Sequence, residues 1–448
     1  MSLTASHFVP TPVDEVWRWH TRPGAVVRLT PPFMPMRPIR QARSLADGTT
    51  VFALPARQRW VAEHDPNGFR EGHSFRDTVV NQPFRGATRW VHTHSFEDAS
   101  GMGTRITDTI DTRVPGFLLA RAVAYRQRQL IGDVEFLSSL PATRPLTVAV
   151  TGASGLVGTA LSAQLTTAGH TVVPLTRGAE TAAGARYWDV DAPAPDLLRG
   201  VDAVVHLAGE SIMGRFTAEK KRRIEDSRVG PTKHLARLAA DSGISTFISA
   251  SGVGYYGTDA GGREHDEGDQ RGAGFLAGVC ERWEEASRAE GMRTVNVRTG
   301  LALSGAGGLL PLLKLSASTG LGARFGAGKF WMSWISLDDL TDIYIRALVD
   351  TSVEGPVNAT APNPVTNEEF SATLTSLLHR PDVVSIPRFA PAALLGRQGA
   401  DELALADQRV IPSAALAAGA RMRYPTLLSA LAHELGREAL VEPAVSGP

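Results

Sequence analysis

A short apolar strand running straight into a glycine-rich turn sets the tightest limit on what this chain can fold into. The run LTVAV, ending at Val150, leads into Thr151-Gly152-Ala153-Ser154-Gly155-Leu156-Val157-Gly158 and then into the helical stretch GTALSAQLTTAG. At that spacing each glycine has its own task. Gly152 permits a tight turn, Gly155 lets backbone approach a diphosphate, and Gly158 lets the helix pack closely on the strand. The helix start adds amides without intrahelical partners and the positive end of the helix dipole, which favour an anion. Gly152, Ser154, Gly155, Leu156, Val157 and Gly158 are therefore expected to hold a dinucleotide; the bland alternative is a structural turn.

From Leu146 onward the sequence alternates strand and helix. TVVPLTR, AVVHLAG, TFISAS and RTVNVRTG read as strands, with GPTKHLARLAADSG and GVCERWEEASRAEG among the helices between them. Such alternation implies a parallel sheet covered on both faces. The strand after the glycine turn ends in Thr176-Arg177, where an acidic residue would suit the ribose hydroxyl of NAD. Arg177 instead suits the 2′-phosphate of NADP, so NADP is expected, with NAD as the alternative if Glu180 serves the ribose. Leu207, Ala208 and Gly209 close the next strand and give the backbone room to pass a cofactor, or simply make a strand-end turn.

The first part, to about residue 141, has a different rhythm. QRWVAEHD, HSFRDTVV, ATRWVHTHSFED and TRITDTIDTRV read as strands separated by turn signals such as Pro66-Asn67-Gly68. A long helix follows, with Leu119, Val123, Leu130, Val134 and Leu137 on one stripe. An antiparallel sheet closed by this helix is expected, with Pro141 to Pro145 as a linker. His92 and His94 alternate along one strand and so share a face. They read as sheet-face residues because no third metal ligand is evident. After about residue 355, prolines punctuate short helical pieces that read as a lid or substrate-side extension. The division is thus 1–141, 142–355 and 356–448.

Composition narrows the class. In 448 residues, Lys+Arg and Asp+Glu are both 46, which argues against electrostatic capture of nucleic acid or an anionic membrane surface. One cysteine excludes an intrachain disulfide and multi-cysteine metal sites. Neither a leader-like N-terminus nor an uncharged apolar run of about 20 residues is present, so a cytoplasmic setting is expected.

The strings TGASGLVG, HLAGESI, RFTAEKKRRIEDSRVGPTKHL, ISASGVGYYG, FLAGVCERWE, RTGLALS, WMSWISLDDL and LADQRVIPSAAL, in series over about residues 146–430, resemble the extended short-chain dehydrogenase/reductase superfamily. The nearer likeness is to its nucleoside-diphosphate-sugar-epimerase-like branch. The first 140 residues, through TPVDEVWRWHTRPGAVVRLTPP and the closing helix, are similar to a START-type ligand-binding domain. The resemblance implies a Rossmann-type doubly wound parallel sheet with a C-terminal α/β extension, preceded by an α+β helix-grip domain. It also implies an apolar ligand in the front domain, a small-molecule substrate, and a monomer or homodimer.

The same family uses a tyrosine and a lysine four residues apart on one helix, with the ammonium stabilising the tyrosinate. Here Leu276 and Cys280 stand at those positions, with Glu284 one turn later, and Arg228 replaces a common asparagine. None of the five lysines, Lys220, Lys221, Lys233, Lys314 and Lys329, has a tyrosine four residues before it. Ser251 matches the hydroxyl that polarises a substrate carbonyl, and Tyr255 or Tyr256 is the candidate proton donor. Arg298 is assigned to cofactor or phosphate binding, or to acidifying those phenols, or to a salt bridge. Cys280 reads as a core thiol, Lys329 as a loop cation, and Asp338-Asp339 as the start of a helix. Three readings stay open: an NADP-dependent epimerase or oxidoreductase, a cofactor-binding sensor or scaffold without turnover, and an apolar-ligand carrier whose working part is the front domain.

Overall fold

The computed structural model describes residues 2–178, 184–258 and 261–441. They divide into two compact units, one of residues 2–140, 163–169 and 432–441, the other of 141–162 and 170–431.

In the first unit, alternating sequences build a seven-stranded antiparallel sheet. Its order is Ser2–Val9, Thr104–Asp111, Val91–Asp98, Ser74–Val79, Arg59–His64, Thr49–Ala53 and Arg37–Arg40. The long helix spans Gly116–Ser138. Its Leu119 and Val123 pack with Ala5 and Ile110, and its Leu130 and Val134 with Phe75, Phe96 and Ile106. The expected apolar stripe thus covers one face of the sheet. Buried on the same helix, Asp133 forms a two-point ion pair with Arg28. The edge strand Ser2–Val9 escapes the sequence reading because the inward positions Ala5, His7 and Val9 include a histidine, which breaks the apolar alternation.

The second unit is a Rossmann-like α/β fold. Seven parallel strands run in the order Arg186–Tyr187, Thr171–Thr176, Thr147–Thr151, Ala203–His206, Thr246–Gly252, Arg293–Thr299 and Gly355–Ala359. Val148, Ala149, Val204, Phe247, Ile248, Val295 and Val297 are fully buried, as strands covered on both faces require. Strand order reverses between Thr147–Thr151 and Ala203–His206. The carboxyl ends of strands beside such a reversal form the usual ligand crevice. The helix Leu337–Val349 begins at Ser336, whose hydroxyl accepts from the Asp339 amide. Asp339 accepts the amides of Arg423 and Tyr424, and Asp342 pairs with the Arg423 guanidinium. The acidic pair therefore opens a helix, as read. No helix among the described residues is long and apolar enough to cross a membrane.

Candidate coenzyme and catalytic site

The glycine turn is built as its spacing demands. Gly152 has φ of +66°, and a Cβ there would lie 3.0 Å from the Leu207 carbonyl carbon and 3.1 Å from the Ala208 nitrogen. A Cβ on Gly158 would lie 2.1 Å from the Gly152 oxygen, so only glycine fits. Gly155 is exposed and meets only the Gly152 oxygen, at 3.2 Å, which leaves its outer side open. Ser154 is exposed beside it, and Leu156 and Val157 form the first turn of the helix Leu156–Thr167. These residues fit a dinucleotide diphosphate. Arg177 is exposed directly after Thr171–Thr176 and makes no ion pair among the described residues. Glu180, the rival for the ribose, lies outside the described residues.

Behind the turn stands His206, a residue the sequence reading quoted but gave no role. Thr151 Oγ1 accepts the amides of Leu207 and Ala208 at 3.0 and 3.1 Å, and contacts His206 Nδ1 at 2.8 Å. With two donors already on that oxygen, its own proton goes to Nδ1, which leaves Nε2–H to donate to Thr232 at 2.9 Å. Thr232 also accepts from Trp283 Nε1 at 3.0 Å. The chain fixes Leu207 and Ala208 against Gly152, and it needs a neutral imidazole. Burial, reinforced by the Arg228 charge, holds His206 down at about 3. Below pH 6.5 the unfolded chain takes up a proton here that the folded chain does not. Stability from this group is therefore complete above 6.5 and lost as pH falls towards 3. Urea denaturation should show roughly 1.4 kcal/mol lost per pH unit from His206 in that window. A His206→Asn protein, less stable at pH 7.5, should lack that component of the slope; an unchanged slope would exclude the neutral imidazole.

The second cluster joins neighbouring strands and a helix. Ser251 and Arg298 are register partners on Thr246–Gly252 and Arg293–Thr299. Both meet Glu284 of the helix Phe275–Ala286. Ser251 Oγ donates to Glu284 Oε1 at 2.7 Å, and Arg298 donates to the two carboxylate oxygens from Nε and Nη2, each at 2.8 Å. Arg298 Nη1 donates to Tyr256 Oη at 2.9 Å, and that hydroxyl donates to Asn358 Oδ1 at 2.8 Å. The guanidinium carbon also lies 3.4 Å from the Tyr255 ring centroid. Ser251, Glu284, Arg298 and Tyr256 are all buried. Burial alone would weaken the Arg298 charge, but Glu284 and Tyr256 outweigh it and hold the group above its ordinary value. Burial pushes Tyr256 up to about 12, partly offset by Arg298 and Asn358.

This geometry bears on two expectations. Three of the five N–H groups of Arg298 hold Glu284 and Tyr256, and the guanidinium stands beside both candidate phenols. Ser251 does not point its proton at a ligand, because Glu284 accepts it. Tyr255 is half-buried and its hydroxyl has no hydrogen bond among the described residues. Glu284, the hub of the cluster, had been noted only by position. Glu402 was missed altogether: its carboxylate accepts the Phe275 and Leu276 amides at 3.1 and 2.8 Å and caps that helix.

At the positions of the family's paired tyrosine and lysine, Leu276 and Cys280 are both buried. Burial, then the Glu284 charge, pushes the Cys280 thiol up to about 11, as befits a core thiol. Arg228 lies against Gly209 and over the Trp283 ring, 5.0 Å from its centroid. Burial holds Arg228 below its ordinary value. Lys329 is an exposed loop cation paired with Glu368.

Residues 148–359 match the NAD dependent epimerase/dehydratase family, and residues 386–434 match a domain of unknown function, DUF1731. An epimerase family protein of Mycobacterium bovis is 42% identical over 296 residues, covering 65% of this chain and 98% of that protein. A crystal structure of a nucleoside-diphosphate sugar epimerase from Corynebacterium glutamicum is 49% identical, with TM-score 0.87, covering 98% of this chain and 91% of that one. The human epimerase family protein SDR39U1, crystallised with NADPH, is 31% identical with TM-score 0.60, covering 65% of this chain and 99% of that one. The chain belongs to the NAD-dependent epimerase/dehydratase family and carries its DUF1731 extension.

Proposed function

We propose that this protein is an NADP-dependent epimerase or oxidoreductase of small hydroxyl- or carbonyl-bearing substrates, of which a nucleotide sugar is the leading class. The observation that carries it is the glycine cradle, where side chains at Gly152 and Gly158 would collide with backbone, beside an exposed Arg177. The human relative crystallised with NADPH supports the same coenzyme. The bound coenzyme would supply the hydride acceptor and donor. The Gly152–Gly158 turn binds its diphosphate, and Leu207, Ala208 and Gly209 form the adjoining wall. Tyr255, whose hydroxyl has no hydrogen bond among the described residues and whose ring lies against the Arg298 cation, is the candidate to exchange a proton with the substrate oxygen. Arg298, on the strand Arg293–Thr299, takes the place of the cationic partner that Cys280 on the helix Phe275–Ala286 does not provide. Tyr256 and Ser251 hold Arg298 and Glu284 in place. The domain division 1–141, 142–355 and 356–448 and the START-like helix-grip character of the front part, with its ligand, belong to this reading.

The assignment to NADP is tested at Arg177. Arg177→Ala should weaken NADPH by roughly 1–3 kcal/mol, the scale of a charge-assisted contact, and leave NADH nearly unchanged. Fluorescence titration of both coenzymes reads this directly. Equal losses for both, or no binding of either by the unaltered protein, would reject the assignment.

The missing tyrosine–lysine pair favours one other reading, a coenzyme-dependent sensor without turnover. The two separate on hydride transfer, followed at 340 nm with a panel of nucleotide sugars. Turnover that disappears in Tyr255→Phe supports the enzyme, whereas tight NADPH binding without any turnover supports the sensor.

A further inference from the structure

The front unit carries a polar cluster on the covered face of its sheet. Neighbouring strands put Asp77 directly opposite His92, and His94 directly opposite Asp108. All four side chains are largely buried, Asp77 the least so. Ligand atoms of Asp77, His92 and His94 lie within 4.8 Å of one another.

The orientation of the rings is what matters. Asp77 Oδ2 lies 3.9 Å from His92 Nδ1 and 3.6 Å from His94 Nε2. These separations exceed hydrogen-bond distance. They are close to the spacing of about 3.3–3.4 Å between two ligand atoms each about 2.0–2.1 Å from a tetrahedral ion. The opposite nitrogens, His92 Nε2 and His94 Nδ1, both contact Asp108 Oδ1 at 2.8 Å. Each imidazole therefore turns one nitrogen to a shared point beside Asp77 and the other to an orienting carboxylate. That is the arrangement by which a second carboxylate fixes metal-binding histidines. The other oxygen of Asp77 is held by Trp90 Nε1 at 3.3 Å, which leaves Oδ2 for the shared point.

Two buried carboxylates stand beside the two imidazoles, and buried carboxylates are costly unless paired or coordinated to a metal. The other groups facing the cluster are His7 and His64 from the sheet, His20 from Val13–Thr21 and Arg126 from the long helix. The sequence reading found no third ligand for His92 and His94, and the strand register supplies one.

We propose that Asp77, His92 and His94 bind a divalent first-row transition cation, with Asp108 orienting both imidazoles. Two histidines and one carboxylate suit zinc or iron(II) and leave coordination positions open. His7, on the same sheet face, is buried, and neither of its ring nitrogens has a hydrogen-bond partner among the described residues.

The test uses the full chain, stripped with EDTA and titrated with Zn²⁺ and with Co²⁺ as a visible probe. One ion per chain is expected, with cobalt bands in the visible. His94→Gln and Asp77→Asn should each weaken binding 100-fold or more, and Asp108→Asn by 10- to 100-fold. Circular dichroism checks that each variant is folded. X-ray absorption of the zinc-loaded wild-type protein provides a readout independent of the variants, and should show two imidazoles at about 2.0–2.1 Å. Uptake well below one ion per chain, absorption without imidazole scattering, or unaltered affinity in folded variants would overturn the site and leave an aspartate–histidine ion cluster. NADPH titration of the same samples keeps this outcome separate from the proposed function.

Discussion

Arg298→Met should lower the unfolding free energy by about 3–5 kcal/mol, the usual result of removing one partner from a buried ion pair. The argument is one of stranded charge. Glu284 receives two hydrogen bonds from Arg298 and one from Ser251, and its side chain is 5% exposed. Without the guanidinium, a carboxylate inside the sheet–helix interface keeps only a neutral hydroxyl. Tyr256 loses a donor at the same time. Two controls separate this from loss of packing. The double variant Arg298→Met/Glu284→Met removes both charges and should recover most of the stability, because a buried pair replaced by apolar groups is often close to neutral. Urea unfolding of the three proteins measures both effects. A single variant within about 1 kcal/mol of wild type would mean that the pair is not buried as described. The double variant, stable but without Arg298 beside Tyr255, should show greatly reduced hydride transfer if the proposed proton route holds.

What the sequence disclosed and what it hid follow one physical division. The glycine turn was legible because its geometry is local: eight consecutive residues determine the bend, the open approach and the helix start. The parallel sheet was legible because strands covered on both faces must be nearly continuous in Val, Ile, Ala and Phe. The working contacts of the site were not legible, because sheet register sets them. Ser251 and Arg298 both reach Glu284 only because they are aligned on adjacent strands. His206 meets Thr151 for the same reason, across a different pair of strands. Read singly, Arg298 looked like a phosphate ligand, and only its neighbours show that its nitrogens are engaged. Glu402 lies 126 residues from the amide it caps at Leu276, so no spacing rule could find it. In the front unit, the alternation of His92 and His94 correctly gave a shared face, but their partners Asp77 and Asp108 come from other strands at the same height.

Gly158→Val should abolish measurable NADPH binding, a loss of at least 100-fold or about 2.7 kcal/mol, and should also destabilise the protein. The Cβ would fall 2.1 Å from the Gly152 oxygen and 2.8 Å from Ala153 Cα, all backbone atoms that cannot swing aside. Either the helix Leu156–Thr167 draws back from the strand or the turn opens, and both disperse the amides that the diphosphate requires. Overpacking of this kind typically costs about 1–3 kcal/mol even where the surroundings yield. Gly155→Ala makes the informative contrast. Its Cβ meets only the Gly152 oxygen, at 3.2 Å, so the fold should tolerate it with a small shift. The added methyl nevertheless occupies the open side through which the diphosphate approaches the backbone. Gly155→Ala is thus expected to bind NADPH markedly more weakly at nearly unchanged stability, while Gly158→Val loses both. Thermal unfolding with and without NADPH reads the two effects on one sample, because a ligand that binds only the folded state raises the transition. If Gly155→Ala were stabilised by NADPH as strongly as the wild type, the coenzyme would not lie against this turn, and the glycines would serve the packing of strand on helix alone.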